Sequence, residues 1–321
     1  MNDQTPTVNA KVQLIDIGEE QADQRIDNFL IRILKGAPRT LVYRILRKGE
    51  VRVNKGRVKP TYRLQTGDIV RVPPVRLSAS QNIPPGQKAL DRVQASIIYE
   101  DDVLLILNKP SGIAVHGGSG VNYGIIEALR SLRPDAPFLE LVHRLDRDTS
   151  GCLIIAKRRS ALRHLHEQMR GKNMDKRYLA LVKGEWKGGE RRVDAKLRKI
   201  TLKSGENVVK VDEEGKDSLS LFKADRVYKG ASLLSVKLIT GRTHQVRVHA
   251  AHLGMQLAGD EKYGDAGFNR AMEKLGLRRL FLHAERLSFE HPKSGERFQI
   301  SAPLPDDLIQ VLDKLQITDT P

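Results

Sequence analysis

One cysteine among 321 residues, Cys152, excludes an internal disulfide and fits a reducing compartment. Its place in the apolar run at residues 152–156 reads as a buried core thiol rather than a nucleophile. Aromatic residues make up only 5% of the chain, which argues against a groove that binds single strands mainly by stacking. No apolar run approaches the length of a membrane span, and the N-terminal stretch has no apolar signal core. Residues 1–23 carry Asp3, Asp16, Glu19, Glu20 and Asp23 against Lys11, which disfavours an Arg-rich transit peptide. The expectation is a cytoplasmic protein with no membrane partner. There is no Gly-Lys-Ser/Thr phosphate loop and no dinucleotide fingerprint, so no nucleotide cofactor is expected. His249 and His252 lie three apart but lack a third ligand at convincing spacing, so no metal is expected either.

What the chain does have is positive charge: a net +16 and a pI near 9.9, which favour a polyanionic partner, nucleic acid before an anionic membrane. The excess is local. Residues 25–76 hold 14 Lys or Arg against Asp27, Glu50 and Asp68, a net +11. Ile26, Phe29, Leu30 and Ile33 fall on one face of a predicted helix. A second helix carries Leu41, Val42, Ile45 and Leu46, with Arg39, Arg44, Arg47 and Lys48 over most of its remaining surface. Gly49 ends it, and short strands with Arg52 and Lys55 near a turn follow. A solvated surface usually mixes signs, so this one-signed block points to RNA binding through Arg39, Arg44, Arg47, Lys48, Arg52 and Lys55. Residues 77–94, centred on Pro84-Pro85-Gly86, read as a linker, and residues 1–22 as a tail. Residues 95–321 mix apolar strands and helices, an α+β domain around a central sheet.

The most informative stretch is residues 143–151, His-Arg-Leu-Asp-Arg-Asp-Thr-Ser-Gly, which runs straight into the apolar strand. A polar loop pinned to a buried strand is a rigid support for catalytic groups, although ion pairs in a solvated turn have the same composition. Asp146 lies between Arg144 and Arg147, which favour its ionised form, and near Asp148, which opposes it. Other constellations are Asn-Lys-Pro-Ser-Gly at 108–112 with Val115-His116, Tyr178 in a strand, and Gly-Arg-Thr-His-Gln-Val-Arg-Val-His at 241–249. Thr243 is the expected N-cap of the helix carrying Val246, Ala250 and Leu253, with Gly254 as its stop. Residues 198–220 carry no readable signal.

These motifs resemble, in order and across residues 97–303, those of the RluA-type pseudouridine synthases, most closely the C-type branch acting on the large ribosomal subunit. Residues 23–76 resemble the S4 RNA-binding module. The resemblance implies a small S4-like domain followed by a catalytic domain with a mixed, largely antiparallel sheet. It also implies an isomerase, an intramolecular transferase, that turns specific uridines of 23S ribosomal RNA into pseudouridine without a cofactor. Asp146 would be its essential carboxylate, used on a flipped-out base, and Tyr178 the active-site tyrosine that exchanges a proton. Arg242 would hold Asp146, with Arg247 in reserve, and Arg144 would fill the space the base vacates. The partner would be large-subunit ribosomal RNA, free or in assembly intermediates, and the protein a monomer. Two rivals share the scaffold: a non-catalytic RNA-binding assembly factor, and a hydrolase that releases uracil. Convergence of Asp146, Tyr178 and an arginine on one pocket separates the first rival from an enzyme.

If the block at 25–76 binds phosphates, removing residues 1–76 weakens RNA affinity and flattens its salt dependence by roughly 0.7 per lost phosphate contact on single strands. Filter binding at several salt concentrations measures this. An unchanged slope would make the charge a solubility feature.

Overall fold

The computed structural model describes residues 8–9, 11–34, 37, 39–76, 85–117, 123–202 and 206–317. The chain divides into two compact units, Met1–Asn82 and Ile83–Pro321.

In the first unit, helices Ile26–Ile33 and Arg39–Lys48 pack on a three-stranded antiparallel sheet ordered Gln13–Asp16, Ile69–Val72, Arg52–Val53. Ile26, Phe29, Leu30, Val42, Ile45 and Leu46 meet Val53, Val70 and Val72 in its core, as the helical periodicity requires. Arg44, Arg47, Lys48 and Lys55 are exposed, while half-buried Arg52 donates to the Lys55 carbonyl. The side chain of Arg39 lies outside the described residues. The supposed tail is corrected: Gln13–Asp16 is an edge strand on Ile69–Val72, and Ile17 is buried in the core. Backbone pairing puts the strand there, with Leu14 facing water, so no apolar alternation announced it. The linker also shortens. Gly86 caps a helix, Gln87–Ala95, whose Val93 is fully buried in the second unit, whereas residues 77–84 lie outside the described ones.

The second unit is built on a mixed, largely antiparallel sheet. Its strands run in the order Arg191–Asp194, Leu219–Tyr228, Ala231–Leu238, Asp175–Lys183, Leu282–Glu290, Ser150–Ala156, Leu104–Lys109, Ile97–Glu100. Leu105, Leu107, Leu153 and Ile155 face one apolar layer, and Leu104, Ile106, Cys152 and Ile154 face another. Both faces of these strands are therefore covered, which explains why they read as unbroken apolar runs. Cys152 is buried as expected, and burial pushes its thiol up to about 12.

The parallel pair in this sheet joins Ser150–Ala156 to Leu282–Glu290, with Ser150 opposite His283 and Gly151 opposite Ala284. There the chains approach so closely that a Cβ on Gly151 would lie 2.3 Å from the Ala284 carbonyl oxygen, and the Gly151 φ of +110° is itself hostile to a side chain. This is why the loop at 143–151 must end in glycine: its last residue slots against another backbone. Gly151→Ala should cost at least about 2 kcal/mol, lowering the thermal midpoint by roughly 4 °C or more for a domain of this size. Calorimetry checks this, and an unchanged midpoint would contradict the close approach.

Candidate active site

The loop that carries Asp146 is held from below by the Asn-Lys-Pro-Ser-Gly segment. Fully buried Lys109, at the end of its strand, donates from Nζ to the carbonyls of Pro110, Ile113 and Arg147, each at 2.9 Å. The Gly112 amide also donates to Arg147 O, and Ser111 Oγ to Asp148 O. Burial draws the Lys109 pKa down to about 7, against the charges of Asp148 and Asp146. His143 Nε2 accepts the Ile154 amide, and burial holds its pKa near 4, so it serves as a neutral acceptor.

Neither neighbouring arginine pairs with Asp146. Arg147 turns outward to Asp148 (Nε to Oδ1 3.0 Å), and Arg144 is exposed. The cation comes from the helix Gln245–His252: Arg247 Nη1 lies 3.5 Å from Asp146 Oδ2. The same guanidinium is clamped from behind by Asp260, whose carboxylate accepts from Nε and Nη2 at 2.7 Å each. Asp260 is almost wholly buried and also accepts the Lys262 and Tyr263 amides. Burial works against both charges, but the bond and charge between them prevail: Asp260 is held below the usual carboxylate range and Arg247 above its ordinary value.

The expectation that Arg242 holds Asp146 is therefore corrected to Arg247. Arg242 is exposed and gives its Nε–H to the Asp217 carbonyl at 3.0 Å. The reason is the start of the helix. Its N-cap is His244, not Thr243, in a left-handed conformation (φ 54°, ψ 20°) that redirects the chain before the first turn. Gln245 fastens the bend, with Oε1 accepting the Arg242 amide and the Thr240 hydroxyl. Arg242 then lies before the bend and Arg247 in the helix, facing Asp146.

His244 also faces the carboxylate, with Nε2 at 3.8 Å from Asp146 Oδ2. Tyr263 Oη accepts the Val209 amide and gives its proton to His244 Nδ1 at 2.8 Å, an assignment that leaves the imidazole proton on Nε2, toward Asp146. Burial lowers the His244 pKa more than the Asp146 charge raises it, in keeping with a neutral ring. The Tyr263 ring also lies under Arg247, 5.0 Å from its guanidinium carbon. Asp260, His244 and Tyr263 were missed in the sequence. His244 stood inside a recognised motif, but no spacing ties residues 260–263 to either Arg247 or Asp146.

Tyr178 belongs to the strand Asp175–Lys183 and stands where the pairing with Leu282–Glu290 slips between Arg177 and Leu179. Bulges of this kind re-aim side chains beside active sites. Burial, then the charge of Asp146, raises the phenol's pKa, so it keeps its proton. Asp146, Arg147, Asp148, His244, Arg247 and Lys262 line a cleft of about 610 Å³, with Arg278 and Arg279 also in its wall. Both ring nitrogens of His249 are engaged, by Ser220 Oγ and by the Ala195 carbonyl. Among the described residues no group of three or more His, Cys, Asp or Glu could hold a metal ion, and no helix is long and apolar enough to cross a membrane.

The profile of RNA pseudouridylate synthases matches residues 103–252, and that of the S4 domain residues 24–70. The chain is 56% identical over 312 residues to the ribosomal large subunit pseudouridine synthase C of Haemophilus influenzae, covering 96% of this chain and 97% of that one. It is 52% identical to the protein of the same name from Escherichia coli K12, covering 98% and 99%. In fold it is similar to human RNA pseudouridylate synthase domain containing 4, with a TM-score of 0.58 at 23% identity over 72% of this chain and 97% of that one. The chain belongs to the RNA pseudouridylate synthase family. It is an RNA pseudouridine synthase, an isomerase, with an S4 domain before its catalytic domain.

The buried pair of Asp260 and Arg247 has a definite pH signature. A carboxyl whose folded pKa lies below its ordinary 3.8 contributes stability that is present above that value and lost as pH falls through the folded one. Asp260→Asn should thus destabilise the protein at pH 7, by about 3 kcal/mol or more for a broken buried pair. The gap from wild type should narrow below about pH 4. Thermal melts across pH check both, and a constant gap would contradict the ionic clamp.

Proposed function

We propose that this chain converts uridines of large-subunit ribosomal RNA to pseudouridine, with Asp146 as the group that acts at the sugar. The observation that carries the proposal is Asp146 held against Arg247 in the wall of this cleft. The names of the Haemophilus and Escherichia relatives supply the RNA class.

In the reaction the C1′–N1 bond breaks, the uracil turns, and a C5–C1′ bond forms. The proton leaves C5 and one is gained at N1, so atoms balance with nothing added. These atoms are out of reach in a stacked helix, so the target nucleotide leaves the stack. Arg144, exposed two residues before Asp146, would occupy the vacated space. Asp146 acts as an anion, either as nucleophile at C1′ or as base at the sugar, and both routes need the negative charge that Arg247 faces. Clamped by Asp260, that guanidinium also has little freedom, so it fixes the aim of the carboxylate. Tyr178 meets the base as a neutral phenol, its ring for packing and its hydroxyl for hydrogen bonding. To take the C5 proton it must first give up its own, which its raised pKa makes slow without a partner base. Arg278 in the cleft wall suits a phosphate beside the target, whereas Arg279 next to it is already paired with Asp307.

Asp146→Asn keeps the shape and removes the charge, so it should bind ribosomal RNA with nearly wild-type affinity and form almost no pseudouridine. Near-normal turnover would defeat the mechanism. Tight binding of ribosomal RNA by the wild type with no pseudouridine formed would favour an assembly factor, and released uracil a hydrolase. Tyr178→Phe retains the ring and should lower the rate about 100-fold or more, the range of a lost acid–base group. Single-turnover assays give the value, and full activity would leave the phenol's role to its ring alone.

A further inference from the structure

Arg242, outside the Asp146 ion pair, lines a second cavity. It measures about 460 Å³ and lies between the hairpin of Leu197–Thr201 and Asn207–Val211, the turn at 212–216 and the bend at 241–243. Arg242, Lys199, Lys216 and Arg198 line it, with Leu197 and Val209 as its apolar surface. Its one acid, Glu214, is already paired with Arg198. Arg242 is anchored through Nε to the Asp217 carbonyl, which fixes the guanidinium at the cavity. The turn is tied to the strand Leu197–Thr201. Lys216 and Leu197 exchange backbone hydrogen bonds, and a Cβ on Gly215 would lie 2.5 Å from the Leu197 carbonyl carbon, so only glycine lets the turn press so close.

The cavity adjoins the chemistry. His244, which faces Asp146, is two residues beyond Arg242, so their Cα atoms are at most about 7 Å apart. Val209, on the cavity wall, gives its amide to Tyr263, which hydrogen-bonds His244. An excess of cations around a small apolar patch suits a nucleotide: phosphate on the guanidinium and ammonium groups, ribose or base on Leu197 and Val209. We propose that this cavity is a second RNA subsite, which holds a nucleotide flanking the target uridine on the same strand, with its phosphate on Arg242 and Lys216. This rests on the reading of the Asp146 cleft as the site of the target nucleotide.

The test uses short RNAs around a uridine that the wild-type protein is first shown to modify, and it reads binding rather than turnover. If no such uridine is found in ribosomal RNA, the functional reading fails on its own, before the subsite is tested. Single neutral methylphosphonate linkages are placed in turn at the two positions on either side of the target, and dissociation constants are measured for wild type, Arg242→Ala, Arg242→Lys and Lys216→Ala. Both alanine variants remove exposed side chains. They should weaken the all-phosphate RNA about fivefold or more and flatten the salt slope by roughly 0.7 per lost contact, and Arg242→Lys should recover part of the loss. One flanking methylphosphonate should weaken wild type while leaving Arg242→Ala unaffected. Wild-type affinity in both alanine variants, or equal sensitivity of wild type and Arg242→Ala to every neutral linkage, would overturn the subsite.

Discussion

The site depends on one guanidinium shared by two carboxylates. Arg247 is tied by two short bonds to buried Asp260 and turns its remaining nitrogen toward Asp146. Taking a charge pair out of water is costly, and such a pair survives only where its geometry is good and its other lone pairs are used. Here they are used: Asp260 takes two backbone amides besides its two guanidinium bonds, and Tyr263 lies under the guanidinium. On the proposed mechanism the consequence is functional. Asp146 is more exposed than either partner and meets a cation that is fixed before RNA arrives. Electrostatic groups oriented in advance need no reorganisation at the moment of reaction.

The rest of the domain positions the Asp146 loop, the Tyr178 strand and the Arg247 helix from distant parts of the chain. The loop of Asp146 rests on Lys109 and is drawn against Ala284 at Gly151. The strand of Tyr178 pairs with that same Leu282–Glu290 strand and slips its register at the tyrosine. The helix of Arg247 starts at a left-handed histidine, whose other contact is Tyr263. A non-glycine residue held at positive φ is costly and persists only where its surroundings enforce it, and here the enforcing contacts are those of the site.

Much of this was legible in the sequence, for identifiable reasons. The basic helices announced themselves by apolar period and one-signed charge, and the central strands by unbroken apolar runs buried on both faces. Asp146 and Tyr178 lay in motifs whose resemblance to a family implied the roles proposed for them. What the sequence hid was set by backbone geometry and long-range pairing. Arg242 and Arg247 share one motif, and only the bend at His244 decides which of them faces Asp146. Asp260 is an acid among turn residues until the fold buries it against Arg247. The strand Gln13–Asp16 and the hairpin at 197–211 are held by backbone pairing and by few apolar contacts, so neither showed a periodic pattern.

The account stands on Arg247 as the cation that faces Asp146 and fixes its aim. Arg247→Gln alone would strand a buried carboxylate, so the direct measurement is made on the double variant Arg247→Gln with Asp260→Asn, which removes the buried charges together and leaves two amides able to hydrogen-bond. Its single-turnover rate of pseudouridine formation is measured at saturating RNA, beside its dissociation constant. The account predicts a folded protein that binds RNA within about threefold of wild type, with a rate lowered about 100-fold or more. A rate within about threefold of wild type would show that Asp146 works without that cation, and would contradict it.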